Sequence, residues 1–164
     1  MTRGVIYVHS TPLAVCPHIE WAIARVLSAP IRLEWKAQPV EPAARRAEYT
    51  WSGRPGTGSE LASALRQWSM LRFEVTEEAS AGVDGERFMY VPGRGLFRAA
   101  TSANGDIVLS EDRLRAILTS SATGGYDNIA HALDKALGSA WDAELEPYRQ
   151  ASDGNPVTLL TRVG

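Results

Sequence analysis

"LRFEVTE", residues 71–77, sets Leu71, Phe73 and Val75 against Arg72, Glu74 and Thr76 in strict alternation. Successive side chains of a strand point to opposite faces, so a period of two reads as a strand with one buried face. What precedes it decides the fold. "GRPGTGSELASALRQW" (53–68) is a glycine-rich turn feeding a helix with Leu61, Ala64, Leu65 and Trp68 on one face. Earlier, "IRLEWKA" (31–37) and "RAEYTWS" (46–52) alternate in the same way around a loop at 39–44. "PHIEWAIARVL" (17–27) spaces Ile19, Ala22, Ile23, Val26 and Leu27 as one helical stripe. Pro17 stands at its first position, where a missing N–H costs nothing. "GVIYVHS" (4–10), ended by Thr11-Pro12, is the opening strand. The succession is β-α-β-β-α-β. It predicts an α+β fold with a ferredoxin-like core and an antiparallel sheet whose apolar side is covered by helices. The strands at 4–10 and 46–52 are expected to be adjacent and parallel at its centre.

The rest of the chain extends this core by a β-meander and C-terminal helices. Asp84-Gly85 offers a turn, "RFMYV" (87–91) a strand, and "LFRAATSANGDIVL" (96–109) a hairpin around Asn104-Gly105. That dipeptide suits a type I′ turn, which needs two residues at positive φ. "SEDRLRAILTS" (110–120) is a capped helix, and residues 126–150 are helical in two pieces joined at Gly138-Ser139. "PVTLLTRV" (156–163) reads as a last short strand. The expectation is a single α+β domain over 1–164, with a ferredoxin-like half at 1–78 and a meander and helical half at 79–164.

Composition excludes several classes. The 164 residues are 45% hydrophobic, enough for a core without disulfides or metal. A net charge of −2 gives no general attraction for nucleic acid or anionic lipid. The aromatics Trp35, Tyr49, Trp51 and Phe73 resemble an RNA-stacking platform, but they share a register with Leu33, Leu71 and Val75 and read as core. One cysteine excludes an intrachain disulfide. The N-terminal apolar run is too short for a signal peptide, and no stretch approaches a membrane span. A cytoplasmic protein is expected.

Two short stretches carry the chemistry on offer. In "AVCPHIEWA" (14–22), Cys16 precedes a helix, where backbone N–H groups favour a thiolate. His18, or His9 at the end of the first strand, would have to serve as its base. The alternative is a buried packing cysteine, which needs no partner. As metal ligands, His9, Cys16 and His18 have no recognised spacing, so no metal is assigned. In "GRPGTGSE" (53–60), Arg54, Gly56, Thr57, Gly58 and Ser59 would cradle an anion on free N–H groups. The same residues also read as a capping box, Thr57-x-x-Glu60, and neither the Walker nor the dinucleotide spacing is present. With parallel strands the two loops would share one end of the sheet. Arg87, Arg94, Arg98, Arg113 and Arg115 concentrate positive charge in the middle third, either as a solvated face or as a docking face for an acidic protein. His131 reads as structural.

"GVIYVHSTPLAVCPHIEWA", "GTGSELASALRQWSMLRFEVTEEASAGVDGERF", "SANGDIVLSEDRLRA" and "GSAWDAELEPYR" resemble an actinobacterial family catalogued as domain of unknown function 3145. The resemblance covers nearly the whole chain. It implies a setting near type II fatty-acid synthesis, and with it an acyl carrier protein as an acidic partner for Arg94, Arg98, Arg113 and Arg115. It implies no reaction and no cofactor. With no complete catalytic constellation in the residues, the expectation is a non-catalytic binding or regulatory module. The alternative is a small enzyme or ligand-binding protein using Cys16, His18 and the 53–59 loop.

Overall fold

β1 (Thr2–Pro12) sits between β3 (Glu41–Gly53) and β4 (Arg72–Glu77) and is antiparallel to both. β2 (Lys36–Gln38) flanks β3. Beyond β4, β5 (Gly85–Val91), β6 (Gly95–Thr101) and β7 (Ile107–Val108) continue as a meander. The result is one seven-stranded antiparallel sheet in the order β2-β3-β1-β4-β5-β6-β7. This computed structural model describes residues 1–152, and the strand expected at 156–163 lies outside the described residues. The α+β class is the one read from the sequence.

β1 and β3 are adjacent as expected, but antiparallel rather than parallel. The connections require it. α1 (Cys16–Leu27) carries the chain back so that β2 runs in the direction of β1, and only two residues then separate β2 from β3. So short a link makes an antiparallel hairpin, which turns β3 against β1. Pro12 therefore pairs with Ala44 at one end of β1, and Thr2 pairs with Gly53 at the other. The loops that follow β1 and β3 leave opposite ends of the sheet, roughly 30 Å apart at strand rise per residue.

Of the stretch expected as a strand at 31–37, only its last two residues join β2. Ile31 and Leu33 are buried, which produced the alternation. Their backbone is held elsewhere, because the Glu20 carboxylate accepts from the Leu33 N–H at 2.9 Å and the Trp35 indole at 3.0 Å. The turn at 102–106 is also different. Gly105 has φ +85° and Asn104 does not have positive φ, so no type I′ pair forms. The Ser102 N–H instead donates to Asp106 O across a five-residue loop.

α1 and α2 (Thr57–Leu65) cover one face of the sheet. Ile6, Val8, Trp51, Phe73, Val75 and Phe88 meet Ile19, Ile23, Leu61 and Leu65 there, in the registers the sequence predicts. The opposite face carries a second, smaller core: Met89, Val91 and Phe97 pack on Leu145 of α5 (Ser139–Ser152), with Trp141 beside them. α3 (Glu111–Ser120) and α4 (Gly125–Ala136) lead to α5. The cap of α3 is Ser110, which accepts from the Arg113 N–H, and Gly138 at φ +74° forms the joint before α5.

Gly4 marks the tightest backbone approach in the sheet. A β-carbon there would lie 1.8 Å from the Thr76 carbonyl oxygen and 2.8 Å from the Trp51 ring. Gly4→Ala is expected to cost about 1–3 kcal/mol or more, since β1 and β4 must separate to admit a methyl group. Urea unfolding measures it, and an unchanged midpoint would show that the strands yield freely.

Candidate functional site

Side chains of β1, β3 and β4 that point away from α1 and α2 build the polar face of the sheet. Tyr7 pairs in register with Glu48 on one side and Glu74 on the other. His9, two residues on, faces the same way by strand alternation, and the register shifts beside it in both ladders, after Val8. Glu74 is the centre of this face and is only 4% exposed. Its Oε1 receives the His9 Nε2 at 3.0 Å and the Arg149 Nε–H at 2.6 Å. Its Oε2 receives the Arg87 NH2 group at 3.0 Å. Arg149 reaches in from α5 and donates also to Asp142 at 2.9 Å, which Arg87 approaches at 3.4 Å.

Burial alone would raise the Glu74 pKa. Hydrogen bonds from His9 and Arg149, with their charges, overcome this and hold it at about 2. The reciprocal interactions with Glu74 and Asp142 raise Arg149 above its ordinary value against the opposing effect of burial. Glu74 is a permanently ionised tether between the sheet and α5. A carboxylate so acidic is a poor proton acceptor near neutral pH, and this argues for structure over acid–base work.

Beside this cluster a cleft of about 330 Å³ opens, lined by Tyr7, His9, Arg149, Ser152, and the charged row Glu34, Lys36, Arg46 and Glu48. A second hollow of about 300 Å³ lies on the far side of Tyr7 and His9, bordered by Thr76, Arg87 and Gly105. Arg46 is distinctive. Among the described residues it has no ion pair or side-chain hydrogen bond, and its Nε is buried without an acceptor. The Trp51 indole N–H is the other such donor, but Trp51 lies in the apolar core.

The residues singled out in the sequence do not assemble into one rim. Cys16 is buried at the start of α1, its thiol facing Pro12 O at 3.8 Å, and burial pushes it above the ordinary thiol pKa. His18 is exposed and packs edge-on against Trp21, while His9 belongs to the Glu74 cluster. Among the described residues no three metal-ligating side chains cluster. At the other end of the sheet, the N–H groups of Gly56 and Gly58 do bind an anion, and it is the protein's own. Glu77 accepts from them at 2.8 and 2.7 Å, filling the cradle expected of the 53–59 loop. Nor does the capping box form. Gly56 is the N-cap with no side-chain bond, and Glu60 pairs with Arg54. Thr57 is buried and Ser59 half-buried within α2.

The arginine segment is largely self-neutralised. Arg94 pairs with Glu144 at 2.5 Å, Arg98 with Glu86, and Arg115 with Glu111 at 2.5 Å. Arg113 has no ion pair among the described residues.

Sequence reasoning passed over Glu74, which alternation assigns to solvent, and over Asp142 and Arg149, charged residues of a helix with nothing local to mark them. A signal was present in "RFMYV". Met89 and Val91 interleave with Phe88 and Tyr90, and an unbroken apolar run marks a strand buried on both faces.

The model of a family described as protein of unknown function (DUF3145) matches residues 5–162. The chain belongs to that family. No curated protein and no solved structure matches it. No helix of the described residues is long and apolar enough to cross a membrane.

Two predictions follow from this geometry. The folded Glu74 pKa lies below its ordinary 4.5, so its stabilisation is complete above pH 4.5 and is lost as pH falls towards 2. Glu74→Gln should cost about 1–3 kcal/mol at pH 7 by removing the carboxylate that the half-buried Arg87 and Arg149 share, and should flatten the loss of stability between pH 4.5 and 2. Urea titrations at pH 7, 4.5 and 3 measure both, and an equally steep acid profile in the variant would remove Glu74 from this role. Cys16 in the native protein should react with iodoacetamide at pH 7 more slowly than free cysteine does, and Cys16→Ser should cost about 1–2 kcal/mol. Alkylation faster than that of free cysteine would restore the nucleophile reading.

Proposed function

We propose that this protein is a non-catalytic binding module of the cytoplasm, and that its ligand site is the cleft between β2, β3, β1 and the end of α5. The ligand is a small molecule carrying a carboxylate or similar anion. One observation carries this reading: Arg46, unpaired among the described residues and with a buried Nε, lines the cleft. A buried donor with no acceptor costs about 1–3 kcal/mol, and a ligand oxygen would recover it. A guanidinium also presents paired donors in the geometry of a carboxylate. The cleft lies at the lower end of the size range of small-molecule sites.

The absence of chemistry supports binding over catalysis. Glu74 is too acidic to act as a base, and Cys16 is buried with a raised pKa. The expectation of an acidic partner such as an acyl carrier protein, drawn from a fatty-acid setting, rests mainly on Arg113 once Arg94, Arg98 and Arg115 are paired internally. The cleft is the better-supported site.

Thermal unfolding with a panel of small mono- and dicarboxylates, phosphate monoesters and amino acids tests the reading. At least one compound should raise the wild-type midpoint and leave that of Arg46→Met unmoved. Without ligand, Arg46→Met should be as stable as the wild type or more stable by about 1 kcal/mol, because it removes a stranded donor and keeps the apolar stem. A panel without effect, or shifts retained in Arg46→Met, would overturn the assignment.

A further inference from the structure

The charged row in the cleft has an order that a simple anion does not explain. Lys36 and Arg46 are direct partners across β2 and β3. Like charges in that position repel unless an anion lies between them. Glu48 follows Arg46 by two residues on the same strand, and Glu34 precedes Lys36 by two; both line the same cleft. Antiparallel pairing sets Lys36 beside Arg46, while Glu48, two residues along β3, and Glu34, in the segment that leads into β2, line the cleft with them. Among the described residues Glu48 has no ion pair. Glu34 touches only Lys36, at 3.5 Å, with both side chains more than half exposed. Such a contact contributes little and yields readily.

We infer that the cleft is built for a zwitterion, an amino-carboxylate compound whose carboxylate lies between Lys36 and Arg46 and whose ammonium lies between Glu34 and Glu48. This rests on the cleft being a ligand site and adds the class of ligand. Residues two apart on a strand are about 6.6 Å apart along the chain. An α-amino acid holds its charged groups within one carbon of each other, and with an ion-pair contact of about 3 Å at each end it spans that interval. One molecule relieves the Lys36–Arg46 repulsion and gives Glu48 a counter-charge. A carboxylate lacking the amine would leave the Glu34 and Glu48 carboxylates in the cleft without a cation from the ligand and gain only half of this. Tyr7, half-buried in the wall, offers a ring surface to the remainder of the ligand.

The test compares matched compounds by calorimetry: L-phenylalanine, 3-phenylpropanoate and 2-phenylethylamine, and the corresponding set for whichever L-amino acid most raises the unfolding midpoint. The amino acid should bind roughly tenfold or more tightly than its deaminated carboxylate, the effect of one added charge-assisted contact. In Glu34→Gln/Glu48→Gln, which replaces two exposed side chains, the amino acid should fall to the affinity of the carboxylate. Arg46→Met should lose both. A carboxylate that binds wild type as tightly as its amino acid, or a preference that survives in the double variant, would overturn the zwitterion and leave the anion site standing. If neither compound of any set binds, both readings fall.

Discussion

One buried carboxylate organises the second face of the sheet. Glu74 projects from the strand that the sequence marks most plainly, on the side away from the main core, and three partners, His9, Arg87 and Arg149, are arranged around it, the two arginines meeting Asp142 as well. Taking a charge out of water is costly unless its partners are close and complete. Here they come from β1, β5 and α5, so the ionised state of Glu74 requires those three elements to be in place together. Desolvation works against the charge and the hydrogen bonds prevail, making α5 a part of the sheet's electrostatics as well as its packing. The apolar patch of Met89, Val91, Phe97 and Leu145 then supplies adhesion, and the ionic cluster supplies register.

The sequence was legible where a single rule governs. Helical stripes in α1 and α2, alternation in β3 and β4, the Ser110 cap and the Gly138 joint all come from local periodicity or local backbone freedom, and all are present. It misled where a polar residue could serve two purposes. Thr57 and Glu60 have the spacing of a cap, yet Glu77, nearly twenty residues away, takes the helix N-terminus, because a strand end brings its carboxylate within reach. Leu33 alternates like a strand residue while Glu20 holds its backbone. In each case a long-range carboxylate replaced the local partner. Residue spacing contains no record of that choice.

The same logic separates the two anion-binding arrangements in this chain. At α2 the N–H donors are satisfied internally, and the site is closed by the fold itself. At the polar face Arg46 faces a cleft with its Nε unmet. Glycine-rich loops attract attention because their pattern is familiar, whereas Arg46 is one polar member of an ordinary alternating strand. Only the surrounding geometry distinguishes it. The register of β2 against β3 sets Lys36 beside Arg46, and the cleft gathers Glu34 and Glu48 around them.

The outline of the sheet has a consequence for how the protein keeps company with itself. Its interior strands run to eleven and thirteen residues, but the two outermost are a three-residue strand and a two-residue strand. These short strands cover only part of their neighbours: among the described residues β3 has no partner on its outer side beyond Arg46 and β6 none before Ala100, and Lys36 charges one margin. Long flat margins are what seed fibrils and runaway stacking. The margins of this open sheet are stepped rather than long and flat, and the uncovered lengths of β3 and β6 are the places where a further strand could add.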